Sequence, residues 1–380
     1  MAIINLYYAT NRKHIGRDRW RPSSYGNNFS NDGMENLRFG IVQIQTDDNK
    51  VRRFLNTPID NMGAGDGLSL SSYLTKCAKT AKIHAYEENL SHDISEESQD
   101  NVTLGSRSMF DHLQSDMGAG CDVLVYIHGF NVSWYEAVGS AVALQLMQAQ
   151  TGEIGKKVVV VLFTWPSDGL ALPWVSYKSD RSEAKGSGAA VGRAILKLRD
   201  FLMDLRDRAR KGNQQLCGQE IHLLCHSMGC YLLTQVLDRL SDFTPGSALP
   251  KLFHSLILCA PDVDDDALES GNALGDVHQI ASEVTVYYNR GDVAMVISDY
   301  TKGQPERLGG NGAAHPGFLH NKVHQIDCTS VVHGPVEHSY YFIGNIAADI
   351  RSSMDGIPQN SNTRKRRRVG IYDNVWEIVP

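Results

Sequence analysis

Short, almost wholly apolar runs alternate along this chain with longer segments of helical period, and that alternation leaves few folds open. A strand that is apolar at nearly every position has to be covered on both faces, which is the situation of a parallel sheet wrapped in helices. The runs Ile4–Ala9, Phe39–Ile44, Val123–Ile127, Val158–Phe163, Ile221–Leu224, Leu256–Cys259 and Val284–Tyr288 are the predicted strands, with Val323–Ile326 a weaker last one. Between them, Ala190–Leu205 places Val191, Ile195, Leu198, Leu202 and Leu205 at steps of four and three, so that one stripe of a helix faces the sheet. Leu233, Val236, Leu237 and Leu240 repeat that spacing. The expected class is α/β, with a mostly parallel central sheet and helices on both faces.

A chain of 380 residues buries one large core, and 1–356 is expected to form a single domain. Two stretches lack clear periodicity. Thr46–Ser115 is polar and reads as a loop-rich excursion, and 298–322, with Gly303, Gly309, Gly310, Gly312 and Gly317, reads as a lid or pocket loop. Beyond them, 357–380 is expected to be a basic tail, whose Arg-Lys-Arg-Arg-Arg run at 364–368 reads as solvated. The net charge of −6 gives no general attraction for nucleic acid or anionic membranes, so neither is an expected partner. No apolar run reaches the length of a membrane-spanning helix, and the N-terminus has no basic segment ahead of its apolar run. Seven cysteines without CxxC spacing read as free thiols, which suits the cytoplasm.

The chemistry is concentrated where predicted strands end. The segment Glu220–Leu237 passes from a buried strand through Cys225-His226-Ser227-Met228-Gly229 into an amphipathic helix, the setting in which a serine is lifted on a sharp turn as a nucleophile. There the helix N-terminus favours developing negative charge and a base can reach the hydroxyl. Gly229 meets the steric demand of such a turn, whereas Cys225 stands where glycine is usual. A serine capping the helix is the alternative use. Upstream, the strand Val123–Ile127 runs into His128-Gly129-Phe130-Asn131, which is where the second oxyanion donor belongs; the N–H groups of Met228 and Phe130 are the candidates.

An acid and then a histidine should follow, each beyond a later strand. Asp292 lies after Val284–Tyr288 in Asn289-Arg290-Gly291-Asp292, and Asp262 and Asp264, after Leu256–Cys259, are its competitors. His338, which precedes a helical run ending near Met354, is the candidate base, with His333 as its rival.

With these residues in place, the chain resembles the esterase/lipase-superfamily proteins grouped as an α/β-hydrolase domain of unknown function. The resemblance is carried by Tyr7-Tyr8-Ala9-Thr10-Asn11-Arg12, Tyr126-Ile127-His128-Gly129-Phe130-Asn131, Phe163-Thr164-Trp165-Pro166-Ser167-Asp168-Gly169, His226-Ser227-Met228-Gly229 and Ala260-Pro261-Asp262-Val263-Asp264, together with the Asp292 and His338 segments. It implies the α/β-hydrolase fold and the Ser227–Asp292–His338 triad, and it leaves the substrate open.

The function expected is hydrolysis of a small carboxylic ester through an acyl-enzyme, with an amidase or acyltransferase on the same triad, or a non-catalytic binding protein on the same scaffold, as alternatives. His128, Asn131, Trp165 and Tyr177, with Asp168 and Asp180, are candidates for the substrate pocket. His315, His320, His324, His333, Asp327 and Cys328 match no metal-binding spacing, and no glycine-rich phosphate loop is present, so neither metal nor cofactor is expected.

Overall fold

The computed structural model describes residues 2–57, 65–88, 104–151, 157–167, 173–212, 217–302, 306–332 and 338–380. The first half contains β1 (Ala2–Thr10), β2 (Arg12–Gly16), β3 (Pro22–Phe29), β4 (Arg38–Thr46), α1 (Asp48–Asn56), α2 (Gly67–Ala78), β5 (Lys82–Ala85), α3 (Gly105–Gly118), β6 (Cys121–Ile127), α4 (Trp134–Thr151) and β7 (Lys157–Thr164). Then follow α5 (Pro173–Arg210), β8 (Ile221–His226), α6 (Met228–Phe243), β9 (Phe253–Cys259), β10 (Ala281–Tyr288), α7 (Val293–Lys302), α8 (Leu308–Asn311), β11 (Val323–Asp327), α9 (Gly344–Met354), β12 (Arg366–Arg368) and β13 (Val375–Ile378).

Eleven of these strands form one sheet in the order β12-β13-β11-β10-β9-β8-β6-β7-β1-β4-β5, and β2 and β3 pair separately. The eight strands from β13 to β1 are mutually parallel, while β12 at one edge and β4 and β5 at the other run antiparallel. Strand alternation divides the core in two. Val123, Ile127, Leu223, Leu256, Leu258, Val284 and Val286 point to a layer made by α3, α5 and α6. Leu124, Tyr126, Val160, Leu162, Leu224, Ile257 and Tyr287 point to the opposite layer, made by α2, α4 and α9. Both faces of the central strands are thus buried, as their continuous apolar sequence requires.

Three stretches differ from the sequence expectation. The described residues of Thr46–Ser115 are not loop-rich: they carry α1, α2, edge strand β5 and most of α3. In α2 the buried residues Leu70, Leu74 and Ala78 fall at steps of four, a real stripe diluted by Ser69, Ser71, Ser72 and Thr75. Within 298–322, α8 and the turn at Pro316–Phe318 are tied down: Gly309 N–H donates to the Pro261 carbonyl at 2.9 Å, Ala313 N–H to Gln325 Oε1 at 2.6 Å, and Asn374 Nδ2 to the Pro316 carbonyl at 2.9 Å. The stretch 357–380 is no solvated tail, because β13 pairs with β11 and β12 with β13. Two of its arginines are neutralised inside, while Arg367 and Arg368 are exposed: Arg364 Nε donates to Asp349 Oδ1 at 2.8 Å, and Arg366 Nη1 lies 3.3 Å from Asp349 Oδ2. Tyr287 donates to the same carboxylate at 2.8 Å. Among the described residues no helix is long and apolar enough to cross a membrane.

Candidate active site

Ser227 occupies the turn between β8 and α6 with φ 52° and ψ −122°. A positive φ at a non-glycine residue costs about 1–3 kcal/mol and persists only where the surroundings impose it. They do so here: Ser227 N–H donates to the Cys259 carbonyl at 2.9 Å, and the Ser227 carbonyl accepts from Asp262 N–H at 3.2 Å. The hydroxyl makes no capping hydrogen bond, so the helix-cap use of this serine is not realised. Two glycines allow the turn to sit close to its neighbours. A Cβ on Gly129 would lie 2.8 Å from that of Ser227, and one on Gly229 would lie 2.7 Å from the Ile127 carbonyl oxygen. Cys225 is tolerated because its side chain is fully buried in the layer beneath α6.

Met228 begins α6, and the N–H of a first helical residue has no acceptor within its own helix. Phe130 follows Gly129 in the loop after β6 that packs against Ser227, and that loop is clamped at several points. Asn131, at φ 56°, donates its N–H to Asp180 Oδ2 at 2.8 Å, and Val132 N–H donates to Ser167 Oγ at 3.1 Å. Arg12 Nη2 donates to the Val132 carbonyl at 2.6 Å, and Arg12 Nε to Thr164 Oγ1 at 2.8 Å. Burial lowers the Arg12 pKa to about 9.

His128 and Trp165 are buried under this loop, their rings stacked at 5.3 Å, with Trp165 Nε1 donating to the His128 carbonyl at 3.2 Å. The His128 Nδ1–H donates to the Gly129 carbonyl at 2.7 Å, which leaves Nε2 to accept from Thr164 Oγ1 at 2.9 Å. Burial, helped by Arg12, pushes the His128 pKa down to about 3, so the ring is neutral. These two residues build the loop and present no open face to a ligand, contrary to the pocket role expected of them.

Asp292 and His338 meet. His338 Nδ1–H donates to Asp292 Oδ2 at 2.7 Å, and the carboxylate's other oxygen accepts the Ala294 N–H at 3.0 Å at the start of α7. Asp292 is buried, whereas the His338 side chain is 22% exposed. The buried turn Tyr340–Phe342 anchors the histidine: Tyr340 Oη donates to the Tyr287 carbonyl at 2.8 Å, and the Tyr126 and Tyr341 hydroxyls are bonded at 2.8 Å.

His226, directly before Ser227, is the residue that sequence reasoning passed over. Its Nε2–H donates to the His338 carbonyl at 3.1 Å, and the two rings lie 4.7 Å apart. Burial, then the neighbouring His338, holds its pKa well below that of a free histidine. The sequence signal was available, since this is a second histidine, directly beside the candidate nucleophile. Asp180 was noted only as a pocket residue; its role is to hold the loop.

The competing acids are engaged elsewhere. Asp262 accepts from Tyr177 Oη at 2.7 Å and Ser298 Oγ at 2.5 Å, and Asp264 pairs with the buried Arg307. Neither is bonded to His338, so Asp292 is the histidine's partner. Tyr177 also packs edge-on against the Phe130 ring at 5.9 Å. His333 and Asp168 lie outside the described residues. Among the described residues no group of three or more His, Cys, Asp or Glu side chains could hold a metal ion.

A mostly parallel sheet with a serine on a strand-to-helix turn, and an Asp–His pair beyond later strands, defines the class of α/β hydrolases. The family model described as alpha/beta hydrolase of unknown function (DUF900) matches residues 106–345, and the chain belongs to that family. No curated protein matches the chain. Among solved structures, a protein described as a cell-surface hydrolase from Lactobacillus plantarum WCFS1 is similar at 13% identity, over 64% of this chain and 98% of that one, with TM-score 0.34. An acylaminoacyl peptidase from Pyrococcus horikoshii is 13% identical over 67% of this chain and 39% of its own, with TM-score 0.28. Phospholipase PlaB from Legionella pneumophila is 15% identical over 55% and 37%, with TM-score 0.22. At such TM-scores the likeness adds nothing to the family assignment.

Proposed function

We propose that this hydrolase cleaves carboxylic esters through an acyl-enzyme on Ser227. His338 takes the serine proton as Ser227 Oγ attacks the carbonyl carbon, and later returns it to the leaving alkoxide. Asp292 holds the imidazole with Nδ1 protonated, which leaves Nε2 free to act as the base. The N–H groups of Met228 and Phe130 bind the oxyanion, and water then releases the acid in a second, mirrored step.

The observation that carries this reading is the 2.7 Å bond between Asp292 and His338, with the histidine lying against His226, the residue before a serine held at φ 52°. A serine at its ordinary pKa is a weak nucleophile, so the arrangement has value only when a base serves it. The test is turnover of short p-nitrophenyl esters together with covalent labelling by a fluorophosphonate probe. Both should be abolished by Ser227→Ala in a protein that still folds; turnover that survives the substitution would refute the mechanism.

A further inference from the structure

A cavity of about 320 Å³ lies between α5, α6 and the segment after β9, lined by Arg181, Tyr231, Gln235, Val263, Asp264 and Asp266 among others. That volume is at the lower end of what small-molecule sites use. None of the candidate catalytic side chains lines it, but three of its lining residues stand close in the chain to residues of that site. Tyr231 follows Ser227 by four residues, one helical turn or about 6 Å along α6. Val263 follows Asp262, whose N–H holds the Ser227 carbonyl. Arg181 lies one turn beyond Tyr177 on α5, and Tyr177 touches the Phe130 ring.

The charges in the cavity are unevenly matched. The Arg181 guanidinium stacks on the Tyr231 ring at 3.6 Å, an arrangement that leaves its edge free to donate. Its Nη1 is buried and has no hydrogen-bond partner among the described residues. A buried, charged donor without an acceptor is costly to maintain, and a ligand that supplied the acceptor would remove that cost. Asp264 does not fill this role: its Oδ1 pairs with Arg307, and Arg181 Nη1 still has no acceptor. Asn272 Nδ2 donates one of its two hydrogens to the Asp266 carbonyl at 2.8 Å, which leaves the other as a second donor at the cavity. The Asp266 carboxylate remains, and its charge disfavours a dianion more than a monoanion.

We propose that this cavity is a substrate subsite for a carboxylate, bound by Arg181, so that the preferred ester carries one negative charge besides its scissile bond. The inference rests on the ester-hydrolase reading above. A planar carboxylate matches the guanidinium edge, and its single charge is repelled by Asp266 about half as strongly as that of a phosphate dianion. One charge-assisted hydrogen bond corresponds to about tenfold to hundredfold in specificity.

The test compares p-nitrophenyl hexanoate with the mono-p-nitrophenyl ester of adipic acid, corrected for spontaneous hydrolysis, with fluorophosphonate labelling of Ser227 in parallel. Wild-type protein should favour the carboxylated ester in kcat/KM by about tenfold or more, mainly through KM. Arg181→Gln should bring the ratio to about one, and Arg181→Lys should keep part of it. Adipate alone should raise the melting temperature of the wild type and of Ser227→Ala, but not of Arg181→Gln, a readout independent of turnover. Equal rates on the two esters, or a preference that survives Arg181→Gln, would overturn the subsite while labelling still upheld the hydrolase reading. Absence of both labelling and turnover would overturn both.

Discussion

Replacing Asp292 with asparagine isolates the contribution of one carboxylate to the proposed chemistry. Asp292 is buried and His338 is partly so, and the two are joined at 2.7 Å. As the serine loses its proton, His338 becomes an imidazolium beside that carboxylate. With charge centres roughly 4 Å apart and an effective dielectric of about 20, the attraction is about 4 kcal/mol, or about a thousandfold in rate. The amide introduced by Asp292→Asn would also donate to Nδ1, placing the ring proton on Nε2, where it blocks acceptance of the serine proton. Both effects act on the transition state, so kcat should fall about 10³- to 10⁴-fold with KM little changed. Initial rates on a p-nitrophenyl ester at pH 7.5, with circular dichroism to establish folding, provide the assay. Asp262→Asn is the control, because Asp262 binds Tyr177 and Ser298; it should cost about 1–3 kcal/mol of stability and less than about tenfold in kcat. A folded Asp292→Asn protein with near-normal kcat, or an Asp262→Asn protein as inactive as it, would show that the acid has been misassigned.

His226→Phe keeps the packing but removes the donor to the His338 carbonyl, and kcat should fall about tenfold at constant KM, with His226→Gln recovering part of the loss; an unchanged kcat would mean that the contact positions nothing. His128, His226 and His324 all have pKa values depressed by burial, to about 3 for His128 and about 4 for His324. Their unfolded forms therefore bind protons first, so stability is full above about pH 6.5 and is lost progressively as the pH falls toward 3. The melting temperature should drop between pH 7 and 5, and a flat profile would contradict these burial-driven shifts. Removing 357–380 would strip Asp349 of Arg364 and Arg366 and expose the edge of β11, which should destabilise the chain by about 3–5 kcal/mol. Thermal melting of the truncated protein checks this, and an unchanged midpoint would restore the solvated-tail reading.

What could be read from the sequence depended on whether a feature is local in the chain. The parallel strands announce themselves because burial on two faces leaves them few polar positions; β13 alone is hidden, since Val375-Trp376-Glu377-Ile378 is short and follows a run of arginines. Edge strands follow a different rule: β5 and β12 are short and polar, and nothing in Lys82-Ile83-His84-Ala85 or Arg366-Arg367-Arg368 distinguishes them from loops. Ser227 was legible because strand, turn and helix are contiguous, and Asp292 and His338 because each falls at a fixed place relative to an apolar run. The clamp on the Phe130 loop was not. Arg12 reaches it from β2, while Ser167 and Asp180 reach it from beyond β7, and a charged residue such as Arg12 reads as surface by composition although it is fully buried. Charge is a guide to exposure only where no compensating partner exists, and partners brought together by tertiary structure leave no periodicity behind. The same reasoning applies to Arg181: on a helix face it resembles any solvated cation, and only the ring beneath it and its buried, unsatisfied nitrogen single it out.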